Sequence, residues 1–323
     1  MARFHFQLGN CRLNTYLFGD QTIQSAIRFR ALACQLSTLG IAALIKVNLL
    51  PPQEPAPYDW QHEWRETDDS ITLSVAVHKD GFVLRFPELC DFVLDPDQRL
   101  IHIIPHEALD EHTIEHLLVD QVLPRFLANE GHLLLHACAV GIEDRTVLFL
   151  GKSGWGKSTV AALLHQKGHT LYSDDCVLLQ PHDSNWQATA TYPSLRLYED
   201  SIESIFIENY SLSPVSEYSD KHRIAMSTEP AQDAPLLHAM YFLSDPETAT
   251  DHIQITQMQP ANTCIELIER SFRLDLGNHK HTRELMQSAA ALTKNVPAYR
   301  LSYPHDFKNN SRLLAQIIQH VQQ

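Results

Sequence analysis

Val147-Leu148-Phe149-Leu150-Gly151-Lys152-Ser153-Gly154-Trp155-Gly156-Lys157-Ser158-Thr159 decides how the rest of this chain is read. Four apolar residues of strand length run into a segment that fits G-x-x-x-x-G-K-[ST] in full, and a helical pattern follows. Glycines let successive backbone N–H groups turn toward one point and form an anion nest. The helix that follows aims its positive end at the same point. In this arrangement Lys157 reaches the β/γ-phosphates of a nucleotide and the Ser158 hydroxyl ligates Mg²⁺. A plain strand-to-helix turn would not require Lys-Ser after the last glycine. The nucleotide site is therefore expected to comprise Gly151, Ser153, Gly154, Trp155, Gly156, Lys157, Ser158 and Thr159.

Downstream, Ser173-Asp174-Asp175 interrupts an apolar strand spanning 170–179. Two adjacent carboxylates there are costly unless a cation or a proton compensates them. Mg²⁺ beside a triphosphate is the natural cation. Side chains alternate along a strand, so at a strand end the pair can divide its tasks, one toward metal and one toward an acceptor hydroxyl. The bland alternative is an Asp turn that ends the strand.

Around this core the pattern is α/β. A helix is expected over 111–129, bent at Pro124 and closed by Gly131, then apolar runs at 133–142 and 146–150. The loop helix covers 157–166 and ends at Gly168. Further strands are expected at 188–198, 237–243, 253–257 and 298–303, and further helices at 201–208, 262–273, 281–294 and 307–321. Residues 1–106 read as a smaller β-rich domain and 107–323 as the second domain. In the first, 70–77 and 82–86 form a hairpin about Lys79-Asp80-Gly81, and 100–104 is a third strand. Four prolines in 51–57 make a loop, and a helix is slightly favoured over 22–36.

The 323 residues, 44% hydrophobic and 20% charged, exclude a wholly disordered chain. A formal charge of −14 argues against a nucleic-acid partner. No membrane-spanning run and no signal-peptide pattern are seen; the best apolar stretch, 39–50, holds Lys46 and Asn48. Six scattered cysteines without C-x-x-C suit reduced thiols, and the expected location is cytoplasmic. His112 and His116 have helical chelate spacing but no third ligand. There is no Gly-x-Ser-x-Gly elbow, and the missing guanine motif Asn-Lys-x-Asp weakly favours ATP.

Leu135-His136-Ala137, the loop 151–158 and Lys167-Gly168-His169-Thr170-Leu171-Tyr172-Ser173-Asp174-Asp175 together resemble the HPr kinase/phosphorylase group. The likeness looks closest to the branch found with lasso-peptide and other peptide natural-product clusters. It takes in Asp80 to Phe86, Leu117 to Pro124, Tyr192 to Leu197, Asp220 to Arg223 and Val296 to Leu301. It implies a P-loop domain of the HPr kinase/phosphoenolpyruvate-carboxykinase-like type with a mixed sheet, behind the β-rich N-terminal domain. It also implies a kinase that uses ATP and Mg²⁺ to phosphorylate a serine-type hydroxyl on a peptide, protein or small molecule. By the same resemblance, Lys157 and Ser158 bind phosphate and metal, and His136 lies near the aspartates. Asp175 is the chosen general base and Asp174 the metal ligand, with the reverse assignment open. Arg196, Lys221 and Arg223 supply positive charge to phosphates or acceptor. The chain departs from HPr kinases proper at Thr159, where they carry an acidic residue, and in lacking their glycine-rich C-terminal signature. Self-association is left open. The competing reading is a non-catalytic ATP-binding regulator or scaffold in a peptide-modification system.

The first domain shows no acid–base constellation, and positioning the acceptor or assembly is its expected task. Tyr58, Trp60 and Trp64, behind the proline loop, either form a docking surface or cap this domain's own core, capping being favoured.

Overall fold

Alternating apolar and polar side chains carry the first part of the chain into one sheet. The computed structural model describes residues 13–34, 44–66, 68–79, 81–192, 194–206, 212–225, 236–248, 250, 252–305 and 309–323. It divides into two compact units, Met1–Glu111 and His112–Gln323. The first contains β1 (Asn14–Phe18), β2 (Gln21–Ser25), β3 (Ala33–Cys34), β4 (Leu44–Leu49), β5 (His62–Arg65), β6 (Ile71–His78), β7 (Gly81–Phe86), β8 (Cys90–Asp95) and β9 (Leu100–Pro105). Among the described residues these form a nine-stranded sheet in the order β3-β1-β2-β4-β9-β8-β7-β6-β5. Ile45 and Val47 of β4, and Ile101 and Ile103 of β9, are fully buried on alternate positions, the pattern of a sheet with one covered face.

The hairpin is present, with His78 paired to Gly81 and Lys79 at φ 54°. Asp80 lies outside the described residues, as do the N-terminal residues read for a signal peptide. A Cβ on Gly81 would sit 1.9 Å from the Leu94 carbonyl oxygen, so the close approach of β8 demands glycine there. Tyr58 and Trp60 cap their own unit. The Arg85 guanidinium lies 5.4 and 4.8 Å from their ring centres and is paired with Asp91 at 2.6 Å. Trp64 packs edge-on against His62.

The helix expected over 22–36 is not formed: 21–25 is a strand, followed by bends and the short β3. Pairing decides this. β2 is bonded on both sides, to β1 and β4, and the Ser25 hydroxyl donates to the Val47 carbonyl while accepting from the Ile27 N–H. Tertiary partners override a marginal local preference. Residues 35 and 36 lie outside the described residues.

The second unit opens with α1 (Glu111–Leu117) and α2 (Leu123–Asn129), joined by a π-helical turn over Leu118–Val122. The expected single helix is therefore widened just ahead of Pro124, which has no N–H for the ladder. There follow β10 (Leu133–Leu135), β11 (Ala137–Ile142), β12 (Arg145–Leu150), α3 (Lys157–Gln166), β13 (Thr170–Ser173), β14 (Val177–His182), β15 (Asn185–Ala190), β16 (Ser194–Tyr198) and α4 (Glu199–Ile205). The remainder is β17 (Leu212–Ser216), β18 (Ser219–Ala225), β19 (Leu237–Leu243), β20 (Gln254–Gln257), α5 (Pro260–Arg270), α6 (His279–Asn295), β21 (Ala298–Ser302) and α7 (Asn310–Gln322). The helix expected at 201–208 starts at Glu199; 207 and 208, like 307 and 308 of the last expected helix, lie outside the described residues.

The central sheet is mixed and six-stranded among the described residues, in the order β13-β11-β12-β19-β21-β20, with β12, β19 and β21 parallel. Its middle strands are buried on both faces. Val147 and Phe149 join a core with Val160 and Leu164 of α3 and Ile317 of α7; Leu148 and Leu150 join another with Leu267 of α5 and Leu292 of α6. That double coverage explains why 147–150 is a continuous apolar run rather than an alternating one.

Three runs expected as single strands are each broken in two. The run 133–142 splits at His136 into β10 and β11; 170–179 splits at Asp174-Asp175 into β13 and β14; 188–198 splits at 191–193 into β15 and β16. β11 and β13 stay in the central sheet, while β10, β14 and β15 form one small sheet and β16 joins another, β16-β18-β17. Pro193, at the last break, lies outside the described residues. Each half still has strand length and strand-forming residues, so periodicity did not separate them.

Candidate active site

The three breaks bring the polar residues together. Asp175 has φ 62°, a left-handed conformation uncommon for a residue with a side chain, and the Cys176 N–H donates back to the Asp174 carbonyl at 2.8 Å. The reversal turns the two carboxylates apart. Asp174 is fully buried; its Oδ1 accepts from the Ser158 hydroxyl at 2.9 Å and the Cys138 thiol at 2.7 Å, and its Oδ2 from the Arg196 N–H at 3.0 Å. Asp175 faces the cleft, 2.9 Å from an Arg196 nitrogen and 3.7 Å from His136 Nε2.

Their environments separate them. Burial, and next the neighbouring Asp175 charge, raise Asp174 to about 6. Burial also acts to raise Asp175, but Arg196, then His136, Lys157 and Lys221, outweigh it and hold that carboxyl below the ordinary range. Burial, with Lys157 beside it, lowers His136 to about 4, so its ring is neutral at neutral pH. With its Nδ1 2.9 Å from the Asp175 carbonyl oxygen, that nitrogen carries the proton and Nε2 keeps a free lone pair.

The glycine loop stands over this pair. Gly154 and Gly156 have φ 80° and 91°, and Gly156 caps α3. Buried Lys157 folds back so that Nζ donates to the Gly151 and Lys152 carbonyls, both at 3.1 Å. Ser153, Gly154, Gly156, Lys157, Ser158 and Thr159 line a cleft of about 260 Å³ with Asp175, Arg196 and Lys221. Gly151 and Trp155 lie outside that lining. Trp155 packs against the core beside the loop, and a Cβ on Gly151 would meet its ring at 3.3 Å. His136 touches the cleft only through Asp175. Arg223 is turned away, paired with Glu115 at 2.8 Å with both groups buried.

Sequence reasoning missed the support behind Arg196. Its guanidinium is held by Asp120 and the Tyr192 hydroxyl, while Asp120 also accepts from Tyr192 and bonds His116. Burial would raise Asp120, but Arg196 and then His116 lower it to about 2. His116, weighed as a zinc ligand, is engaged in this network instead. A buried aspartate amid Leu117, Leu118, Val119 and Val122 was the available signal, because a charge on an apolar helix face needs a partner. Cys138 carried none.

Chemically, loop N–H groups, a helix start and a lysine in this arrangement are suited to an anion. Asp174 with Ser158 offers oxygen ligands for a hard divalent cation. A fully buried carboxylate whose partners are a hydroxyl, a thiol and one N–H has charge left to neutralise, which fits such an ion. Among the described residues no group of three or more His, Cys, Asp or Glu gathers to hold a metal without further ligands.

No family model matches the chain. The HPr kinase/phosphorylase of Mycoplasmopsis pulmonis is 38% identical over 65 residues, covering 20% of this chain and 21% of that protein. Those of Bacillus pumilus and Bacillus licheniformis are each 41% identical over 51 residues, 16% of either chain. This chain is distantly related to the HPr kinase/phosphorylase family. The matched segments span only about a fifth or less of those relatives and select no branch. The Hpr(Ser) kinase/phosphatase from Coxiella burnetii aligns over 58% of this chain and 93% of its own at 12% identity and a TM-score of 0.31, too low to carry an argument. Among the described residues no helix is long and apolar enough to cross a membrane.

Proposed function

We propose that this chain is an ATP-dependent kinase with a P-loop domain of the HPr-kinase-like type, transferring the γ-phosphoryl group to a serine-type hydroxyl. The observation that carries the reading is the meeting of Lys157 and Ser158 with a buried Asp174 and a cleft-facing Asp175. The distant HPr kinase/phosphorylase relatives support it.

On this reading the loop N–H groups and Lys157 bind and orient the phosphates and offset the charge that spreads over them during transfer. Asp174 and Ser158 would hold Mg²⁺, which supplies further charge neutralisation when bound. Asp175, ionised beside Arg196 and facing the cleft, accepts the proton of the attacking hydroxyl. Arg196 fixes which Asp175 oxygen faces the cleft, and Lys221 adds positive charge on the acceptor side. Arg223 acts only from behind, holding β18 through Glu115. His136 keeps Asp175 oriented through its carbonyl.

The acceptor is a peptide, protein or small molecule with a free hydroxyl. The first unit is assigned to positioning the acceptor or to assembly. The assigned compartment is the cytoplasm. The test is mass spectrometry of serine-bearing peptides from neighbouring genes after incubation with ATP and Mg²⁺. A gain of one phosphoryl group, absent with Lys157→Ala, is expected. Equal phosphorylation by that variant would overturn the reading.

A further inference from the structure

The cleft has a second side to which phosphate transfer gives no task. In the central sheet β12 and β21 are parallel to β19, while β11 is antiparallel to both β12 and β13. The carboxyl ends of β13, β12 and β21 therefore share one edge of the sheet. Asp175 follows β13, the glycine loop follows β12, and Tyr303 follows β21, so the loop stands between the other two in strand order. Ligands of open α/β sheets lie along such an edge.

Tyr303 and His305 both line the cleft. Their rings are stacked, 4.4 Å between centres and 22° from coplanar. Tyr303 is buried and His305 is exposed, so the tyrosine backs one face of the imidazole and leaves the ring at the surface of the cleft. The pair abuts the loop. A Cβ on Gly156 would stand 2.6 Å from the Tyr303 hydroxyl and 3.6 Å from His305 Cε1. Partial burial of the His305 ring lowers its proton affinity, with Asp245 opposing.

We infer that His305, backed by Tyr303, is the stacking platform for the base of the bound nucleotide. This rests on the proposed phosphate role of the loop. If the terminal phosphate faces Asp175 on the β13 side, the nucleoside must leave the loop on the β21 side, where this stack stands. An aromatic face held against a buried ring supplies stacking that depends little on which base is present. Tyr303 has a second task as well, since its hydroxyl occupies the space that a side chain at 156 would need.

The test is calorimetric titration of the full chain with ATP·Mg²⁺ and, separately, with inorganic tripolyphosphate·Mg²⁺. The proteins compared are wild type, His305→Ala and His305→Phe. His305→Ala is expected to weaken ATP binding about 5- to 100-fold, the range of one lost base–aromatic stack, and to leave tripolyphosphate binding within about twofold. His305→Phe restores ATP binding. Wild-type ATP affinity in His305→Ala, or an equal loss of both ligands, overturns the platform while leaving the phosphate site standing. Failure of the wild type to bind either ligand would bring down the loop reading and the platform with it.

Discussion

Asp174 and Asp175 are neighbours in sequence and opposites in environment. The carboxylate pair was legible from the residues alone, because two charges in an apolar run need compensation. That the pair could divide its tasks was legible too, but which carboxylate faces which way was not. It depends on the left-handed backbone at Asp175, which turns one side chain toward Ser158 and the other toward the cleft. A pH experiment follows. A carboxyl raised from 3.8 to about 6 in the folded state binds its proton more tightly folded than unfolded. Its stabilising contribution is full below about pH 4 and is lost as pH rises through about 6. His136, lowered to about 4 by burial and by Lys157, acts in the opposite sense over nearly the same window, so the comparison must be with a variant. In urea titrations without metal, Asp174→Asn should gain stability relative to wild type as pH rises from about 4 to about 7. A constant difference across that range contradicts the assignment. Added Mg²⁺ should shrink the wild type's loss.

Elements were legible where one residue type repeats and illegible where a strand changes sheets. The strand–loop–helix unit at 147–166 could be read from its apolar run, glycines and helix period, and β12 and α3 occupy those positions. The runs 133–142, 170–179 and 188–198 were read whole, because each half is short and strand-forming by itself and only tertiary pairing sends the halves to different sheets. The π-helical turn was hidden for a different reason. One inserted residue leaves the apolar spacing almost intact while it points Asp120 at Arg196. That contact makes a prediction about the element. Asp120→Ala leaves Arg196 buried without its main counter-charge, and breaking a buried pair costs about 3–5 kcal/mol. Denaturant unfolding at pH 7 should show a loss of that order. Asp120→Asn, which keeps the hydrogen-bonding shape, should lose less. A change below about 1 kcal/mol for Asp120→Ala, the level of an exposed pair, would show that the network is not a support.

At the scale of the molecule, the chain was read as a β-rich part followed by an α/β part. The extent of the first sheet was underestimated, since strands were read only at 70–77, 82–86 and 100–104. The short β1, β2 and β5 owe their form to their partners. If the second unit carries the chemistry alone, a fragment starting at His112 should fold, bind ATP and fail to phosphorylate its acceptor. Loss of ATP binding in a fragment that is otherwise folded contradicts that division of labour. The central claim is that the edge carrying the glycine loop and Asp175 transfers a phosphoryl group rather than merely binding a nucleotide. Parallel incubations with γ-labelled and α-labelled ATP, Mg²⁺ and hydroxyl-bearing acceptors test it most directly. Label is expected in the acceptor from the γ-position only, reduced about 100-fold or more by Asp175→Asn while ATP binding persists. Tight ATP binding with no labelled product for any acceptor would contradict it and favour a non-catalytic regulator.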